Sequence, residues 1–268
     1  MKRPTIGKRE GSILDKAAFR LPTFTTKGIL STLDTDLIAA GGEFIGTVMF
    51  LLAGLGARQS VTNALDEYQQ DMSKPQDPGA KIIANFYVSA AFGFSLYATA
   101  TIFYRFTGSI FNPSVALALF MVGVLKPLRF LLVCTAQMLG GIVANALLMA
   151  LTPGTLEVNL ELGSGVNRTQ GVFFEMFTTA ILCLSVLMLG AEKHLLTPHA
   201  PLAFAFTLMS MMMLSIGYTG TGMNVARAFG SACFNGFQTY HWIYWVGPTL
   251  GAMLSSGLYF LLKAVRYW

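Results

Sequence analysis

A few polar side chains stand at telling places in an otherwise apolar sequence. Asn112 stands at the head of the apolar stretch "FNPSVALALFMV", 111–122, and Asn224 at the head of "MNVARAFGSACF", 223–234. Asparagine is a strong helix N-cap, because its side-chain oxygen accepts orphan backbone N–H groups. Pro113 then falls at a first helical position, where a missing N–H does no harm. Arg227 follows Asn224 by three residues, just past the apolar run "FAFTLMSMMMLSI" at 204–216. Its pKa is too high for it to shed charge, and in hydrocarbon that charge is costly. Arg227 must therefore face water or a partner. Glu43, in "EFIGT", and Glu175, in "EMFTT", each open an apolar segment. These residues can hydrogen-bond and hold charge. No His/Asp/Ser or metal-ligand set converges anywhere, so an enzyme is excluded and no metal or cofactor is expected. Cys134, Cys183 and Cys233 are scattered on apolar segments, without the spacing of a disulfide framework or a metal site.

The segments that must position these residues are membrane spans. Of the 268 residues 54% are hydrophobic and 12% charged, against about 25% charged in soluble domains. Six apolar stretches, roughly 37–58, 82–104, 128–151, 171–190, 200–217 and 241–264, approach the ~20 residues a helical span requires. The first thirty residues carry seven lysines and arginines and no long apolar run, which reads as a basic tail beside an anionic leaflet, not a signal peptide. The pI near 9.2 comes largely from that tail, so no nucleic-acid partner is expected. With the tail inside, inside segments hold thirteen lysines and arginines and outside segments four, leaving Arg227 out of the count. Both termini are then cytoplasmic. Asn167-Arg168-Thr169 is a glycosylation sequon on the outside, too close to a span for use.

The stretches beginning at Asn112 and Asn224 are each about half a span long, and read as half-helices. At membrane depth their ends are tolerable only when buried in protein or lining water. Aligned on the two asparagines without a gap, "AFGFSL" (91–96) falls on "AFAFTL" (203–208), and Thr107-Gly108 falls on Thr219-Gly220. Each half reads span, span, half-helix, span. Three spans per half force opposite orientations, so the repeat is inverted and the half-helix N-termini meet near the midplane.

With these features the sequence resembles the aquaporins, the major intrinsic protein family, over about residues 37–264. "FNPSVALAL", "GYTGTGMNVARAFGSA", the two span-opening glutamates and "HWIYWVGP" (241–248) carry the likeness. The long basic tail is similar to that of fungal orthodox aquaporins. The resemblance implies an all-α membrane protein: six transmembrane helices plus two re-entrant half-helices, an inverted 3+3 repeat in a right-handed bundle. The family motif Asn-Pro-Ala stands here as Asn112-Pro113-Ser114 and Asn224-Val225-Ala226, so both copies depart from it. Ser114 adds a hydroxyl; Val225 removes a rigid first-turn residue and adds an N–H. The resemblance places Phe92, Met212, Thr221 and Arg227 in a narrow selectivity filter. Water-conducting relatives usually carry His where Met212 stands. It also implies a homotetramer.

The expected organisation is a cytoplasmic tail over 1–36, a first repeat over 37–151 with its half-helix at 112–122, and an outside connection over 152–170. A second repeat over 171–264 has its half-helix at 224–232, and 265–268 form a short cytoplasmic end. The expected function is a passive water channel in a lipid bilayer, at the plasma membrane. Half-helix dipoles make a positive centre that repels cations, and the paired asparagine amides turn each passing water so that protons cannot hop. Glu43 and Glu175 are expected to support the half-helix loops by accepting their backbone N–H groups. Ala228, where glycerol-conducting relatives usually have Asp, and the pair Tyr244-Trp245 favour water. Met212 favours less polar solutes, so a glycerol- or hydrogen peroxide-permeable channel is the alternative, and a non-conducting structural or sensing protein the second. Phe19 and Phe24 in the tail are candidates for a gate at the cytoplasmic mouth.

Overall fold

The computed structural model describes residues 32–70, 78–192 and 195–266. Six long helices carry the fold: α1 (Leu33–Gln70), α2 (Pro78–Thr107), α4 (Pro127–Leu151), α5 (Arg168–Val186), α6 (Ala200–Thr219) and α8 (Ile243–Ala264). Each includes a segment long and apolar enough to cross a membrane. Two short helices, α3 (Pro113–Met121) and α7 (Val225–Asn235), lie between them. A π-helical turn, Leu187–Ala191, extends α5.

The helix ends follow local chemistry. Asn167 caps α5 in a capping box with Gln170, so the sequon asparagine is committed to the helix start. Gly220, at φ 71°, ends α6 in the left-handed region that glycine enters without penalty. The first span runs well beyond the apolar stretch. Hydropathy marks where a helix meets lipid, not where it ends, and "NALDEYQQ" contains no breaker, so α1 continues to Gln70. Likewise α7 runs to Asn235, past the expected 232, and is stopped by Gly236 at φ 86°.

The packing repeats itself. Helix α1 packs on α2 and α4, and α5 packs on α6 and α8 in the same way. Helix α2 meets α6 across the middle. Each short helix packs on the last helix of the other repeat, α3 on α8 and α7 on α4. Glycines permit the closest of these crossings. A Cβ on Gly141 of α4 would collide with the Ala226 carbonyl of α7, and one on Gly230 of α7 with the Gly141 carbonyl. Large apolar side chains on the outer faces, such as Ile82, Phe94, Leu131 and Phe206, remain exposed, as a lipid-facing surface requires. The molecule is an integral, multi-pass membrane protein.

Candidate functional site

The two short helices start back to back. Asn112 Oδ1 accepts from Ser114 N at 2.8 Å, and Asn224 Oδ1 accepts from Ala226 N at 2.9 Å and Arg227 N at 3.3 Å. Each amide then reaches across the centre. Asn112 Nδ2 donates to the Met223 carbonyl, and Asn224 Nδ2 donates to the Phe111 carbonyl, both at 2.8 Å. An amide nitrogen has two N–H groups. Half of each donor set is thus spent on locking the two loops together, and the other half remains for a molecule between them. Pairing expected from sequence alone left this cross-bracing unseen.

The loops leading into the two helices are twisted alike. Gly108, Ser109 and Phe111 have φ of 93°, 54° and 46°; Gly220, Thr221 and Met223 have 71°, 56° and 48°. For residues with a Cβ this region costs about 1–2 kcal/mol each, and their N–H groups have no helical partner. Two buried carboxylates supply partners. Glu43 accepts from Ile110 N at 3.0 Å and Phe111 N at 2.7 Å, and from Gln137 Nε2 at 2.8 Å. Glu175 accepts from Gly222 N at 2.8 Å, Met223 N at 2.7 Å and Thr219 Oγ1 at 2.6 Å. Both glutamates are fully buried. Sequence reasoning singled out these acids but not Gln137; it named Tyr244 only as one of an aromatic pair, not as the residue whose hydroxyl donates to the Thr219 carbonyl at 2.8 Å. Nothing in a sequence marks a positive φ at Ser109, Phe111, Thr221 or Met223, because none of them is a glycine.

Phe92, Met212, Thr221 and Arg227 lie together, all at least 97% buried, and line one narrow cavity with Asn112 and Asn224. Its volume is about 40 Å³. Arg227 Nη2 donates to the Gly220 carbonyl at 3.4 Å, and its guanidinium carbon sits 5.6 Å from the Phe92 ring centre. Nε and Nη1 have no protein partner. Thr221 Oγ1 shares a 2.8 Å hydrogen bond with Ser215 Oγ. Of the motif neighbours, Val225 and Ala226 are buried in the first turn of α7, and in that of α3 Ser114 is buried and Pro113 half-buried; the Ser114 hydroxyl has no protein partner. Phe19 and Phe24 lie outside the described residues.

The cavity wall is built from repeat pairs. The register that pairs Asn112 with Asn224 also pairs Phe92 with Phe204, Leu96 with Leu208, and Ser109 with Thr221, and all of these line the cavity. The same register sets Arg227 against Val115 and Met212 against Ala100. One scaffold thus forms both ends of the cavity; Ser109 and Thr221 are polar at both, while Arg227 and Met212 have apolar counterparts. Over the Arg227 end the segment 152–167 is pinned down: Arg58 Nη2 donates to the Asn159 carbonyl at 3.0 Å, and Gln59 Nε2 to the Thr155 carbonyl at 2.9 Å.

Comparison with known proteins agrees with this geometry. The family model described as "Major intrinsic protein" matches residues 32–259. A Laccaria bicolor protein named aquaporin-1 is 49% identical over 234 residues, covering 87% of this chain and 73% of the relative. Aquaporin-2 of Botryotinia fuckeliana is 38% identical over 242 residues, covering 90% of this chain and 63% of its own length. Among solved structures, an aquaglyceroporin from Plasmodium falciparum superposes with a TM-score of 0.66 at 16% identity, covering 85% of this chain and 96% of that one. At that identity the likeness is one of fold.

Proposed function

The chain belongs to the major intrinsic protein family of membrane channels, and from that premise we propose that it is a passive water channel that excludes protons and ions. It is a transport protein, not an enzyme. The observation that carries the reading is the narrow cavity lined jointly by Asn112, Asn224, Phe92, Met212, Thr221 and Arg227. A water molecule needs roughly 10–15 Å³ of such space, so the ~40 Å³ cavity suits a short file of waters. The N-termini of α3 and α7 converge on it, each equivalent to about half a positive charge. The free N–H of each asparagine amide then meets a water oxygen midway. With both lone pairs engaged, that water turns its hydrogens outward along the file, which interrupts proton hopping. Arg227, with two nitrogens, Nε and Nη1, free of protein partners, adds a fixed charge against cations.

Glu43 and Glu175 serve this function by holding the loops rather than by moving protons. The excess of lysine and arginine on the tail side supports cytoplasmic termini, and the family supports a homotetramer. Met212 favours a second reading, conduction of glycerol or hydrogen peroxide, because a thioether offers no strong hydrogen bond and yields its shape readily.

Purified protein in liposomes, followed by stopped-flow light scattering, decides between them. Fast shrinkage against an impermeant osmolyte with slow glycerol uptake is the expected result. Rapid uptake of both solutes would establish the second reading. Absence of any flux, restored by deleting residues 1–30, would place the gate in the tail with Phe19 and Phe24; absence without recovery would reject conduction altogether.

A further inference from the structure

The cavity end that carries Arg227 has a feature behind its wall that the repeat does not share. Gly54 lies on α1, buried behind the Phe92 ring. A Cβ at Gly54 would stand 2.6 Å from Phe92 Cδ1, 2.7 Å from Cε1 and 2.9 Å from Cγ. Non-bonded carbons sit about 3.5–4.0 Å apart. The ring therefore lies against the bare α-carbon, in space that any other residue would fill. Its further contacts are the Phe50 ring, edge-on at 5.9 Å between centres, and the Arg227 guanidinium at 5.6 Å.

We propose that Gly54 is a positioning residue that sets the width of the filter, by giving the Phe92 ring a recess to withdraw into. The inference rests on the reading of Phe92 as a filter residue. Glycine is a poor choice inside a helix, and the recess is what this one provides. A methyl at position 54 displaces the ring by about 1 Å, toward Arg227 and the cavity. Against a passage one water wide, that displacement is a large fraction of the opening.

The other repeat supplies an internal control. The register that pairs Glu43 with Glu175 pairs Phe50 with Leu182 and Gly54 with Val186. Leu182 and Val186 both line the cavity. A β-branched side chain at this place is thus compatible with the helix pair, and there it forms part of the wall. Phe204, the counterpart of Phe92, finds its room one turn later, where a Cβ on Gly190 would stand 3.2 Å from its Cζ. The two ends of one scaffold differ by where the glycine sits.

The test is a double-variant cycle on the full-length protein in liposomes: Gly54→Ala, Phe92→Ala, the pair together, and the parent. Water and glycerol permeabilities are measured per folded channel, counted by size-exclusion chromatography. Gly54→Ala is expected to lower water permeability on the order of tenfold and to lower glycerol uptake further. Phe92→Ala is expected to raise glycerol uptake, and in that background Gly54→Ala changes nothing, since the ring it would push is gone. An equal loss in both backgrounds would mark a general packing defect in α1 and overturn the proposal, as would no loss in the parent background. Should Gly54→Ala alone fail to fold, the double variant must fold and conduct like Phe92→Ala; a misfolded double variant refutes the recess. If Phe92→Ala leaves the water-to-glycerol ratio unchanged, the filter reading itself fails, and the proposal with it.

Discussion

Arg227 and Val115 occupy equivalent places in the two repeats, and the contrast between them isolates what the arginine does. Arg227 is only 3% exposed and leaves Nε and Nη1 without protein partners. A charge taken into an apolar bundle is costly to desolvate, and apolar replacement of such a group is often neutral or stabilising, so the residue is held for function at the expense of stability. Arg227→Val copies the opposite end of the cavity. It is expected to keep water flux, to raise glycerol uptake and cation leak several-fold, and to raise the melting temperature in detergent rather than lower it. Flux assays and a thermal melt on one preparation check all three. The arginine was legible in sequence because a charge inside an apolar run has few explanations. Its neighbour Phe92 came only with the family resemblance, and its Gly220 carbonyl partner not at all, because the course of the loop decides which carbonyl it meets.

The two half-helices differ at their first residue, and the geometry says how much that matters. Asn112 has φ −154° and ψ 116°, and Asn224 has φ −141° and ψ 112°. Both are extended, the conformation a residue before proline must take. Helix α7 is thus already shaped for the proline it lacks, and its first N–H lies outside the pair that Asn224 Oδ1 accepts. Val225→Pro should therefore fold, conduct water at the parental rate and gain about 0.4–1 kcal/mol by limiting the unfolded chain. Stopped-flow permeability and the denaturation midpoint test this; a loss of flux would mean that the Val225 N–H is used. The asparagine caps could be read from sequence because capping is a local interaction. The loops before them could not, since Glu43 and Glu175, which accept their N–H groups, come from other helices.

The whole molecule is closed at the tail side by matched clamps between the outer helices of each repeat. Arg129 Nε meets Asp36 Oδ1 at 2.6 Å, joining α4 to α1. Lys263 Nζ meets Glu192 Oε1 at 2.5 Å, joining α8 to the end of α5, and the Tyr259 hydroxyl donates to the same carboxylate. The Lys263 hydrogen bond, with that of Tyr259, holds the Glu192 carboxyl below the usual carboxylate range. A depressed carboxylate adds stability that is present above its ordinary pKa and is lost as pH falls through and below that range. The melting temperature of the parent should therefore drop more than that of Glu192→Gln between neutral pH and strongly acidic pH. Solvent reaches both partners of the pair and keeps the effect small. Equal drops in the two proteins would remove Glu192 from the acid response.

Sequence by itself determined the membrane class, the inverted repeat, the caps at Asn112 and Asn224, and the prominence of Glu43, Glu175 and Arg227. Each of these is written in local or periodic terms: span length, capping chemistry, or a charge where none should be. Tertiary structure alone decided how those residues act on one another. The asparagine amides brace opposite loops, Gln137 joins Glu43, Tyr244 holds the Thr219 carbonyl, and Phe92 rests on Gly54. Each contact joins residues far apart in the chain, and α1 to α8 must pack before any of them exists. A glycine shows this most clearly: in sequence Gly54 is one of 27, and only the ring lying against it gives it a role.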